Sequence, residues 1–135
     1  MIIQDLPDGF IVCVNAMLND ASAWGDLNPK VLAFHLEMKR IFVHELIARD
    51  LKSFIDMNVY SDLDSEYRCD FANFDFSEYS DNELYYWYGV GSAIVDFSCL
   101  GRGVRDYATL IWDSASKELD KRNLEYTFLF ELEFK

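Results

Sequence analysis

Leu124-Glu-Tyr-Thr-Phe-Leu-Phe-Glu-Leu-Glu-Phe134 carries the cleanest alternation in the chain. Leu124, Tyr126, Phe128, Phe130, Leu132 and Phe134 share one side of an extended segment, while Glu125, Thr127, Leu129, Glu131 and Glu133 share the other. A period of two with acids on one side predicts a strand of an antiparallel sheet, with the aromatic side in the core and the acidic side in water. Shorter segments join it on the same reading. Gly9-Phe-Ile-Val-Cys-Val-Asn15 follows the turn signal Pro7-Asp8-Gly9, Cys69–Phe71 and Phe74–Phe76 alternate across a phase slip at Ala72-Asn73, and Ser92–Leu100 places Ala93, Val95, Phe97 and Cys99 on one face.

Two helices are expected beside this sheet. Asn28-Pro29 opens the first, because asparagine caps free amides and proline at the first helical position loses no hydrogen bond. No glycine or proline interrupts it before about residue 57. On a helical wheel Leu32, Leu36, Phe42, Val43, Leu46, Ile47, Leu51 and Phe54 make one broad side. The second helix is expected over about 104–122, where Val104, Tyr107, Ala108, Ile111, Ala115 and Leu119 recur at spacings of three and four. Ser80-Asp-Asn-Glu83 has capping-box spacing for a short helix through Tyr88. The expected fold is therefore α+β, with about four or five strands against helices at about 29–57 and 104–122. It forms one globular domain over residues 1–135, without internal repeat or linker.

The 135 residues include 24 acids against 12 Lys and Arg, a formal charge of −12. A field of that sign repels nucleic-acid phosphate and anionic membranes and attracts basic proteins. Direct nucleic-acid and membrane binding are thus not expected. With 51% apolar and 16% aromatic residues the chain can build a core, unlike a disordered acidic tail. No apolar run reaches the roughly 18 residues of a membrane span, and Met1 leads into no signal-like stretch. Cys13, Cys69 and Cys99 are too scattered for a disulfide framework or zinc site, so a cytoplasmic location is expected.

Motifs for catalysis fail one by one. His35 and His44 fall half a turn out of phase on one helix, and His44-Glu45 lacks the second histidine of HExxH because Ala48 stands there. Asp62-Leu-Asp-Ser-Glu66 begins like a calcium loop, yet Tyr67 replaces the turn glycine and Asn73 the final glutamate. Neither Gly89-Val-Gly91 nor Gly101-Arg-Gly103 has phosphate-loop spacing. No catalytic residue, metal or cofactor is therefore assigned, although paired carboxylates keep a small hydrolase as an alternative.

The unusual stretch is Tyr60–Tyr88, where ten aromatics interleave with eight acids and a lone base, Arg68. Asp62, Asp64, Glu66, Asp70, Asp75, Glu78, Asp81 and Glu83, with Tyr85, Tyr86, Trp87 and Tyr88, are the expected partner-binding residues. Aromatic anchors among carboxylates suit a basic protein. The expected function is a protein-binding inhibitor of immunity or antitoxin type that neutralises a basic nuclease or nucleic-acid-binding protein. Alternatives are a nucleic acid mimic and a self-associating module, a homodimer built through the long helix or the final strand.

Overall fold

The apolar run Phe10–Leu18 is long enough to be either a buried strand or a fully buried helix, and periodicity alone does not separate the two. It is a helix. In the computed structural model, which describes residues 3–21, 27–60, 74–97 and 100–134, α1 spans Asp8–Ala21. Phe10, Ile11, Val12, Cys13, Val14, Ala16, Met17 and Leu18 are all buried around its circumference. Each large side chain so buried contributes on the order of 1.5–3 kcal/mol before the entropy of ordering is set against it. Three further helices follow: α2 (Pro29–Ala48), α3 (Asp81–Val95) and α4 (Arg102–Lys121).

The expected α+β fold is overturned, for no strand or sheet occurs among the described residues. Gly9–Asn15 lies inside α1, and Ser92–Val95 completes α3. Both were apolar on every side, a pattern shared by a buried strand and a central helix. Phe74–Phe76 lies outside regular structure, whereas Cys69–Phe71 lies outside the described residues. Leu124–Phe134 forms no ladder; it runs as a strap over the helices with one 3-10 turn at Leu129–Glu131. That turn breaks the two-residue period and buries Leu129 and Leu132, leaving Phe128 and Phe130 outside.

The long helix is also shorter than its composition suggested. Asp50 adopts φ 58° directly after the Arg49 cap and ends α2 without a glycine. The Asp50 amide donates to the Ile47 carbonyl at 3.1 Å and the Leu51 amide to the Leu46 carbonyl at 2.8 Å, which is the Schellman arrangement. Short polar side chains tolerate this left-handed conformation better than other non-glycine residues. The expected caps are present: Asn28 Oδ1 accepts from the Lys30 amide, and Ser80 and Glu83 form a reciprocal capping box.

Contrary to expectation, the chain carries an internal repeat. The start of each helix and the residue of positive φ recur 73 residues later: α1 begins at Asp8 and α3 at Asp81, α2 at Pro29 and α4 at Arg102, and the positive-φ residues are Asp50 and Asn123. The ends of α2 and α4 are clamped by the same network. Arg49 donates to Glu45 at 2.8 Å, to Asp8 at 2.9 Å and to the carbonyls of Ile3 and Gln4. Arg122 donates to Glu118 at 2.9 Å, to Asp81 at 2.8 Å and to the carbonyls of Phe76 and Ser77. Partial burial opposes both guanidinium charges, but their carboxylate partners more than restore them and raise both pKa values. The protein is thus two helical hairpins, each closed by an arginine that ties the end of its second helix to the start of its first.

Between the hairpins α1 packs on α4 and α3, and ring contacts join α2 to α3. The α3–α4 contact is the most extensive. Gly91 permits it: a Cβ there would stand 2.9 Å from the Trp112 backbone nitrogen.

Candidate functional site

After its second helix each half sends a strap back across its first. In the first half the strap is tied down. Asn15 donates to the carbonyls of Phe54 and Ile55, Asn19 to those of Ile55 and Met57 at 2.9 and 2.6 Å, and Asp20 accepts from the Val59 amide at 2.8 Å. In the second half the positions corresponding to Asn19 and Asp20 are Ser92 and Ala93, which are too short to reach. A pocket of about 330 Å³ opens there, bordered by Ser92, Ala93, Asp96 and Phe97 of the α3 end and by Phe128 and Phe130 of the strap. Gly89 forms its floor and lets the strap approach, since a Cβ would lie 3.1 Å from Leu129.

The rim is aromatic and exposed. Phe128 and Phe130 stack with centroids 5.8 Å apart and remain 58% and 56% exposed. Opposite them Tyr60 stacks on Phe97 at 5.9 Å. Tyr126 covers Tyr88 at 4.9 Å and donates to Asp120 at 2.6 Å, a bond that raises the phenol pKa. Glu125, Glu131 and Glu133 are exposed on the strap, which carries no basic residue between Leu124 and Phe134. Such a surface can take an apolar side chain into the pocket, stack a guanidinium or ammonium on the ring faces, and pair it with Asp96 or the strap glutamates.

The sequence-expected partner residues are dispersed. Asp62, Asp64, Glu66 and Asp70 lie outside the described residues. Asp75 and Glu78 are exposed, and the Ser77 amide donated to Asp75 holds that carboxyl below its usual range. Asp81 belongs to the Arg122 clamp and Glu83 to the Ser80 cap. Tyr85 is half-buried, Tyr88 is nearly covered by Tyr126, and Trp87 packs against Phe42. Tyr86 is fully buried, its hydroxyl 2.6 Å from His35 Nδ1. The aromatics of α3 are therefore largely core, whereas Tyr126, Phe128 and Phe130 on the strap are exposed. Alternation in Leu124–Phe134 was the signal that could have found them, had Leu129 and Leu132 been taken as the anchors.

The histidines diverge, with His44 exposed and His35 buried. Burial, helped by Lys39, lowers the His35 pKa to about 4, with the Leu18 backbone acting in the opposite direction. His35 is therefore neutral at pH 7. No cluster of three metal-ligating side chains occurs among the described residues, and none of their helices is long and apolar enough to cross a membrane. No protein-family model matches the chain, and no curated protein or solved structure shows significant similarity to it.

Proposed function

We propose that the protein binds and neutralises a basic protein, as an inhibitor of immunity or antitoxin type, through the strap and the end of α3. The observation that carries this reading is the exposed Phe128–Phe130 stack, set beside an apolar pocket on a segment whose only charges are negative. The fold does not need those rings outside, because Leu129 and Leu132 already anchor the strap. Hot spots at interfaces combine such aromatic anchors with a charged rim, and long-range attraction speeds the encounter. Asp81 and Glu83 are neutralised or hydrogen-bonded within the fold, which favours a discrete patch over the long carboxylate array of a nucleic acid mimic. We place this action in a reducing compartment such as the cytoplasm, in keeping with the burial of the Cys13 side chain in the core.

Affinity capture from the native extract at about 50 and 300 mM salt tests the reading. One basic protein is expected at low salt, retained more weakly at high salt, and lost at least tenfold by the Phe128→Ser/Phe130→Ser double variant. Failure to retain a basic protein at low salt, or retention unaffected by the double variant, contradicts it.

A further inference from the structure

The repeat supplies an internal control for the surface positions of its paired helices, and one face fails it. Leu32, Leu36 and Ile47 on α2 are 38%, 54% and 56% exposed, and Val43 is half-buried beside them. At 100° per residue these four side chains fall within a 60° stripe along the outer side of α2. Their counterparts on α4, 73 residues on, are Arg105, Thr109, Ser116 and Asp120. The same fold thus places polar residues at all four positions of its second copy. The aliphatic stripe of α2 is not demanded by the hairpin.

We propose that this stripe is the contact face of a homodimer in which α2 of one copy lies antiparallel to α2 of the other. The spacing is self-complementary. Leu32 and Ile47 are equally distant from the midpoint between Lys39 and Arg40, as are Leu36 and Val43. A two-fold axis through that midpoint sets Leu32 against Ile47 of the second copy and Leu36 against Val43, as an isologous interface requires. Spacings of four and eleven residues keep these side chains aligned along a nearly straight helix pair.

Charge selects the same face. The chain carries −12, so two copies repel each other over most of their surfaces. On α2, Arg40 pairs with Glu37, and Lys39 at the centre of the stripe leaves this strip without excess negative charge. A second copy approaching here meets Lys39 and the paired Arg40 rather than a cluster of acids, which lessens the acid–acid repulsion of the rest of the surface. The consequence is a salt dependence opposite in sign to that of a basic partner: screening the mutual repulsion strengthens the dimer. This inference therefore stands or falls separately from the proposed function.

The test is sedimentation equilibrium of the full chain between about 10 and 500 µM, the range suited to a contact through one face of a single helix, at about 50 and 500 mM salt. The mass should rise from one chain toward two with concentration, with the midpoint moving at least threefold lower at high salt. The Leu32→Arg/Leu36→Thr/Val43→Ser/Ile47→Asp variant, which copies α4, should stay monomeric while retaining the helical signal and melting temperature. Should the fourfold variant fail to fold, Ile47→Asp alone decides: loss of the dimer supports the assignment, and an undiminished dimer overturns it. A strictly monomeric wild-type chain at 500 µM and high salt overturns it as well.

Discussion

The two hairpins share one clamp and diverge in how their helices meet. In the first, Leu18 occupies the position that Gly91 holds in the second, and α2 meets α1 less extensively than α4 meets α3. In the first, asparagines pin the strap to α1; in the second, a serine and an alanine release it and a pocket forms. Equivalent positions thus separate what the hairpin requires from what each copy has been free to change. The arginine, its glutamate and aspartate, and the left-handed residue after the helix are retained, whereas straps and outer faces differ.

Exchanging residues between halves should break the comparison most severely at Gly91. Gly91→Leu, the residue of the first half, should abolish the folded state. Gly91→Ala should cost about 2 kcal/mol or more in urea melts despite roughly 1 kcal/mol of helix-propensity gain, because the added Cβ meets the α4 backbone. An alanine variant as stable as wild type would show that α3 and α4 are further apart.

A pH difference comes next. The His35 pKa is lowered to about 4, so between pH 6.5 and 4 the unfolded chain binds a proton that the folded chain refuses. The contribution is fully present above pH 6.5 and is lost as pH falls toward 4, up to about 3 kcal/mol. His35→Gln, at a position that is Ala108 in the second half, should flatten the stability profile in this window by that amount. Chemical denaturation at several pH values reads it, and parallel profiles would mean that His35 titrates normally.

The clamps should be equivalent. Arg49→Met and Arg122→Met each remove four hydrogen bonds and strand a mostly buried glutamate, with an expected cost of about 2–3 kcal/mol. A difference beyond about 1.5 kcal/mol would mean that one half does not depend on its clamp. The straps should differ in the opposite sense: Asn19→Ala should cost about 1–2 kcal/mol and Ser92→Ala close to nothing.

Helix starts were legible in the sequence wherever a cap uses side-chain chemistry, as at Asn28-Pro29 and Ser80–Glu83, and α4 was legible from its strong amphipathic period. The inner helices were not. Burial on all sides erased the period from Phe10–Leu18 and Tyr85–Val95, which leaves length as the discriminator. The repeat was also present, in Glu45-Leu-Ile-Ala-Arg-Asp-Leu51 and Glu118-Leu-Asp-Lys-Arg-Asn-Leu124, but sparse identities over a long period are hard to see before the clamp gives them meaning. Of the candidate surface, the combination of acids and aromatics was readable; its place was not. Whether a tyrosine faces core or water depends on the neighbouring helix, and α3 turns Tyr86 toward His35 while the strap turns Phe128 and Phe130 outward.

The most direct test of the repeated-hairpin fold is backbone NMR assignment. Helical secondary shifts should cover 8–21, 29–48, 81–95 and 102–121, with positive φ at both Asp50 and Asn123 and no cross-strand contacts from Leu124–Phe134. Extended shifts with cross-strand contacts over that final segment, or a positive φ at Asp50 alone, would contradict it.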